Sequence, residues 1–426
     1  MKTTLITHAT IFDGTGAAPF LGQVLIEGNR IAAVTPADAA TPVTADVTID
    51  AAGKFLMPGM TEGHAHLSFD GFTCTEDLIS LPPEEHAFLT ARVAKTLLDQ
   101  GFTSAYGASE AKLRLGVAVR NEVDAGRLVG PRIRAGSLEI TVSGGLGDES
   151  RLHNPRNCIN LSNTTSPSVV VDGPEEMRKV VRLSCREGCD NIKLDISGDP
   201  FYPNTPAHAT LMSLEEIQMA VETAHSFGKM VNVHARSAES VRRAVIAGAD
   251  MIYHAEHSDP ETLDLLESVK DRVFVAPSIG LFHTMVHHGE EHGMPSAVVN
   301  GMGIPALIEA SVQTHTELRK RGIRHLIGGD YGFAWNMQGT QARELQYFVD
   351  YYGYTPIEAL ICATRNGGLA MRAERDLGTL QAGMLADMLL VDGDPLQDLS
   401  ILTDKHRLAM IMKDGQLHSL APALYS

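Results

Sequence analysis

No run of about 18 apolar residues occurs in the chain, which excludes a membrane-spanning helix of ordinary length. Positive charge is scarce. The sequence has 35 Lys and Arg against 52 Asp and Glu, a net charge of −17, which argues against nucleic acid and membrane surfaces as partners. A small substrate remains open, because a local positive site can sit on an acidic protein. Cysteine is sparse as well. The five residues Cys74, Cys158, Cys185, Cys189 and Cys362 form an odd, scattered set, which argues against a disulfide framework. Cys185 and Cys189, in "SCREGCD", are expected to be buried thiols rather than metal ligands. The opening "MKTTLITHATIFDGTG" alternates apolar and polar residues like a strand and lacks the apolar core of a signal peptide, so a cytoplasmic location is expected. The remaining composition, 44% hydrophobic and 20% charged, suits a globular protein. A length of 426 residues suits one large domain with additions or two to three ordinary ones.

Both ends of the chain read as β-structure broken by turns. "GQVLIEGNRIAAV" carries a hairpin signal at Gly28-Asn29, and "LAMIMKDGQL" carries another at Asp414-Gly415. Residues 1–57 and 374–426 are expected to pair into one small β-sandwich domain. The middle, 58–373, alternates short apolar runs with helix-like segments. The runs are 59–67, 101–107, 132–141, 191–197, 230–236, 251–257, 273–280 and 325–330. Helical patterns lie between them at 83–101 and 213–228, the second opening on a Ser213/Glu216 capping box and closing at Gly228. Eight such units indicate an α/β fold, a (β/α)8 TIM barrel. An open doubly wound sheet is weakened by the lack of a G-x-G-x-x-G after the first strand. Two long stretches, 142–172 and 281–304, follow strands and would overhang the face where barrel sites form, either as lids or as plain solvated insertions.

The chemistry-bearing residues fall at the ends of those runs. "TEGHAHL" places His64 and His66 one residue apart, so on a strand they point the same way and can grip one metal ion; they can equally be ordinary surface or core histidines. The fourth run offers Lys193, the fifth His234, the sixth His254 and the eighth Asp330. Each alone reads as a packed or solvated residue. Together, near strand ends on one face, they point to a site.

The motifs "MPGMTEGHAHL", "NIKLDIS", "VNVHAR", "AGADMIYHAEH", "IGGDYG" and the tail "TPIEALICATRNGGLAMRAERDLGTLQAGMLADMLLVDGDP" resemble the amidohydrolase superfamily of metal-dependent hydrolases over nearly the whole chain. Within it the chain is similar to the branch of dipeptidases, N-acyl amino acid hydrolases and ochratoxin A-hydrolysing amidohydrolases, the bacterial ones most of all. The resemblance implies two divalent ions, with zinc suited to such ligands. His64, His66 and Asp330 would hold the more buried ion, and His234 and His254 the more exposed one. Lys193, carboxylated by CO2, would bridge them. A metal-bridging hydroxide would attack the amide, with Asp330 as general base and then acid. The implied reaction releases a C-terminal, hydrophobic amino acid such as Phe from an N-acyl amino acid, a dipeptide or an ochratoxin A-like amide. A cyclic-amide hydrolase or deaminase on the same scaffold is the alternative. Relatives of this branch often form homo-oligomers.

Some positions depart from the branch. "SGGLGD" has Leu146 where many relatives carry a substrate-binding histidine, which makes the pocket more apolar; His153 is a candidate replacement. Arg236 follows His234 by two, as a binder of a substrate carboxylate or as a salt bridge to a neighbouring strand. Ser68 is a candidate substrate contact and His257 a candidate support for the ligands. Trp335, the single tryptophan, either walls the pocket or packs within its loop. The lid histidines, His283, His287, His288 and His292, read as solvent-facing rather than as a metal patch.

Overall fold

In the computed structural model, residues 2–39, 43–148, 167–202, 205–372 and 376–424 are described. Both chain ends meet in one eight-stranded sheet. Thr3–Ile11, Phe20–Glu27, Arg30–Pro36, Val47–Asp50 and Phe55–Pro58 come from the amino-terminal end; Met388–Val391, Leu408–Lys413 and Gln416–Leu420 come from the other. The joint is the antiparallel pairing of Phe55–Pro58 with Met388–Val391, with Leu56 opposite Leu390. The two turns expected from sequence are present. Gly28, at φ +63, opens a two-residue loop that returns Glu27 onto Arg30. Asp414 and Gly415, at φ +50 and +68, do the same between Lys413 and Gln416. One core contains Val24 and Ile26 together with Met410 and Met412, from strands far apart in the sheet order, so the sheet curls onto itself.

The middle of the chain is α/β with parallel strands. The series runs Met60–Ala65, Phe102–Gly107, Arg132–Arg134 continued by Gly136–Thr141, Asn191–Asp195, Met230–Ser237, Met251–His257, Phe274–Ala276 and Arg324–His325. These are called strands one to eight below. They pair as two arcs rather than as the single closed ladder expected from the sequence. Ala135 divides strand three, leaving its first half on strand two and its second half on strand four. Strand eight is only two residues long, and Leu326 and Ile327 carry the chain on to Gly328 and Gly329. Single backbone contacts cross both gaps: Glu110 N donates to Ser137 O at 2.9 Å, and Gly63 N donates to Ile327 O at 2.9 Å.

Along strand four, Ile192 and Leu194 pack in the apolar core with Val181 and Ile217 of the surrounding helices, while Lys193 and Asp195 alternate to the other face. The helices Pro83–Asp99 and Leu214–Ser226 form where expected. In the second, Ser213 Oγ accepts from Glu216 N at 3.3 Å and the Glu216 carboxylate accepts from Ser213 N at 2.8 Å. Cys185 and Cys189 are buried free thiols, and burial pushes Cys189 up to about 12.

The stretch 281–304 is not a loop. It folds as Ile279–His288, a turn of 3-10 helix, Ser296–Gly301 and the start of Ile304–Lys320. Its apolar residues Leu281, Phe282, Met285, Val299 and Ile304 bury together, which is why a His-rich sequence still forms helix. Of the stretch 142–172, Ser168–Val170 pairs alongside strand three, and His153 lies outside the described residues. No helix among the described residues is long and apolar enough to cross a membrane.

Candidate metal centre

Strand one ends by presenting His64 and His66 on one face, and the turn after strand eight brings Asp330 to them. Their ligand atoms lie within 4.8 Å of one another. Asp330 Oδ1 is 3.1 Å from His66 Nε2 and 3.9 Å from His64 Nε2. Each ring is aimed from behind through Nδ1, at 2.8 Å from Ser278 Oγ for His64 and 3.0 Å from Ser109 O for His66. The Tyr253 ring stacks on His64 at 3.7 Å. The His254 ring lies 5.5 Å from His64, and the His234 ring 4.5 Å from His254. His234 Nε2 donates to Gly198 O at 3.0 Å, which leaves Nδ1 for a ligand.

Lys193 is buried, with Nζ 3.1 Å from Asp195 Oδ1 and 4.0 Å from Glu139 Oε1. Burial works to lower its pKa, but Asp195, Glu139 and Asp330 outweigh it and raise it. Burial holds His64, His234 and His254 well below the ordinary histidine range, so their lone pairs stay free of protons. Burial also opposes the charge on Asp330, but His64, His66 and Lys193 pull its carboxyl well below the usual range.

Two observations fit this donor set to a cation. His64 Nε2 and His254 Nδ1 are buried nitrogens without a hydrogen-bond partner among the described residues, a costly state unless a lone pair meets a metal. Four non-glycine residues around them, His254, Ala255, Ser278 and Asp330, hold left-handed backbone at φ +79, +64, +60 and +57. Such conformations cost about 1–3 kcal/mol each and persist where the surroundings over-determine them, as at functional sites.

The Amidohydrolase family profile matches residues 55–418. The chain belongs to the amidohydrolase family. This amidohydrolase is 26% identical over 438 residues to the ochratoxinase of Aspergillus niger, covering 98% of this chain and 86% of the relative. It is 25% identical over 419 residues to an imidazolonepropionase of Symbiobacterium thermophilum, covering 93% and 89% of the two chains. The structure of a prolidase complexed with N-methylphosphonate-L-proline superposes with TM-score 0.87 at 25% identity, over 98% of this chain and 100% of the other.

The other sequence-selected residues are placed differently. Ser68 is committed internally: its Oγ accepts from Ala111 N at 2.7 Å and its carbonyl accepts from His86 Nε2 at 2.7 Å. Arg236 is fully buried, with Nε donating to Asp199 Oδ2 at 3.0 Å, Nη1 paired with Glu256 on strand six, and the guanidinium 4.9 Å over the Phe282 ring. His257 is exposed at the end of strand six, and Leu146 is half-buried in the turn after strand three. Trp335 is buried with Phe333 and Phe201, at ring distances of 5.1 and 6.3 Å. From these rings a chain of contacts runs through Phe72 and Phe69 to His66, whose ring stacks on Phe69 at 4.5 Å.

Asp195, Asp199, Glu256 and Tyr253 escaped the sequence reading. Asp195 had a signal, being two residues from Lys193 and so on the same strand face. Ser109 and Ser278 had none, because a serine 43 or 214 residues away is brought to a histidine only by folding.

Proposed function

We propose that this amidohydrolase is metal-dependent and hydrolyses the amide that joins a hydrophobic C-terminal amino acid to an acyl group or a preceding residue. The observation that carries the reading is the convergence of His64, His66 and Asp330, with the buried nitrogens His64 Nε2 and His254 Nδ1 left without a hydrogen-bond partner among the described residues. In this reading the two arcs act as one eight-stranded barrel, 58–373, and the curled sheet of 1–57 and 374–426 acts as its companion domain. His64, His66 and Asp330 would hold one divalent ion and His234 and His254 a second, with a carboxylated Lys193 as the ligand they would share. When bound, the ions supply an acidified water and a Lewis acid for the scissile carbonyl.

The protein's own groups do the rest. Asp330, ionised and 3.1 Å from His66, accepts the proton of the attacking water and returns it to the leaving nitrogen as the C–N bond breaks. Ser278 and Ser109 hold the two imidazoles in the tautomer that presents Nε2. The Phe69–Phe72–Phe333–Trp335 rings give an apolar wall beside His66, which suits an aromatic substrate group. Arg236 is held by Asp199 and Glu256 in buried ion pairs and is assigned no substrate contact.

A cyclic amide is the second reading, favoured by the similarity to an imidazolonepropionase along 93% of the chain. The deciding measurement is amino acid release from N-acyl amino acids, dipeptides and ochratoxin A, with and without chelator. Chelator-sensitive release favouring C-terminal Phe or Leu supports the first reading. Metal-loaded protein that releases nothing from this panel but opens a cyclic amide replaces it with the second.

A further inference from the structure

His254 is reached from behind by groups that belong to no metal ligand. Its backbone and that of Ala255 are both left-handed, and the pairing of strands five and six slips in register here, between Ala235 and Ser237. The His254 carbonyl bonds instead to a side chain: His315 Nε2, on the helix Ile304–Lys320, donates to it at 2.6 Å. The next residue back, Thr314, donates its hydroxyl to Glu256 O at 2.7 Å. Two adjacent helix residues therefore replace ladder bonds along the bulged end of strand six.

The chain behind His315 fixes which nitrogen carries its proton. Nε2 must be N–H to meet a carbonyl, so Nδ1 of the neutral ring is an acceptor. His325 Nε2 lies 3.0 Å from that Nδ1 and must be the donor. His325 Nδ1 is then an acceptor and takes the Tyr354 hydroxyl at 2.7 Å. Asn366 anchors the far side by donating to His325 O at 2.9 Å. All of these residues are buried, so no solvent competes for the protons.

We propose that His315, His325 and Tyr354 are positioning residues for the second metal ion: the Tyr354→His325→His315 chain locks the N–H that grips the His254 carbonyl, and thereby the left-handed turn that aims the His254 imidazole. This rests on the two-metal reading above. Loss of a group that orients a metal ligand weakens metal affinity roughly 10- to 100-fold.

The test uses the full chain loaded with zinc, titrated with a competing chelator, with bound metal counted by elemental analysis and the fold checked by circular dichroism. Wild type is expected to hold two equivalents. His315→Leu should keep the first and release the second with an affinity weakened roughly 10- to 100-fold. His315→Gln, which returns an amide N–H to the Nε2 position, should restore it. Tyr354→Phe removes only a hydroxyl, frees His325 to flip tautomer, and should weaken the same equivalent; it serves if His315→Leu does not fold. Wild type with two equivalents and folded variants, Tyr354→Phe included, that hold both as tightly would overturn the positioning role alone. Wild type with fewer than two overturns the two-metal reading and this inference with it.

Discussion

Gly328 stands between the two halves of the candidate metal centre. A Cβ there would lie 2.7 Å from His64 N and 2.8 Å from His64 Cβ. The backbone of Gly328 is outside the left-handed region, so Gly328→Ala meets an obstacle of space alone. Carbon contacts settle near ~3.5–4.0 Å, so strand one and the segment after strand eight must part by roughly 0.7 Å. Neither can swing aside, because the opposing atoms are a backbone nitrogen and the Cβ fixed to that backbone, and the Gly63 N to Ile327 O bond ties the same seam. His64 lies on one side of that seam and Asp330 on the other. Overpacking of this kind costs about 1–3 kcal/mol of stability. Against a margin of ~5–15 kcal/mol the variant stays almost wholly folded at 25 °C. A misplacement approaching 1 Å in a catalytic group costs on the order of 100-fold in rate. The assay is kcat/KM at 25 °C with saturating metal, beside the urea midpoint. Gly301→Ala, where an added Cβ meets open space in a helix, is the control and should leave kcat/KM unchanged with a urea midpoint no lower than wild type. A Gly328→Ala protein with wild-type kcat/KM would refute the claim that this glycine contact sets the distance between His64 and Asp330.

Other changes have definite expected outcomes. Asp330→Asn should bind metal but lose about 100- to 10,000-fold in kcat, measured by single-turnover amino acid release; turnover near wild type would remove Asp330 from the proton path. Arg236→Ala strands two buried carboxylates, Asp199 and Glu256, and should cost about 3–5 kcal/mol in equilibrium urea unfolding; a cost under ~1 kcal/mol would mean the trio is not a buried ion network. The pH dependence of stability should also change at His325. Its folded pKa lies well below 6.5 through burial, so its contribution is complete above pH ~6.5 and is lost as pH falls toward the folded value, where only the unfolded chain has taken the proton. His325→Gln should therefore flatten the fall in unfolding free energy below that pH by up to about 1.4 kcal/mol per pH unit. Identical slopes for the two proteins would show that the ring does not stay neutral in the fold.

Much of the molecule was legible in the sequence because it depends on local periodicity. The alternation of strand four put Lys193 on one face and Ile192 and Leu194 on the other, and Ser213 with Glu216 marked a helix start. The two hairpins followed from Gly28 and from Asp414-Gly415, whose positive φ values two-residue turns require. The same logic placed His64 and His66 side by side. The stretch 281–304 was misjudged because its histidines masked the apolar face that Phe282, Met285 and Ile304 bury.

Tertiary structure decided everything that depends on approach across the chain. Asp330 meets His66 over 264 residues of sequence, through a seam that glycine alone can fit. The same packing turned Ser68 inward, gave Arg236 two acidic partners, and brought His315 behind His254. Periodicity determines which face a side chain takes. What it touches there depends on how the strands and helices pack, and that distance is not written in the spacing of residues.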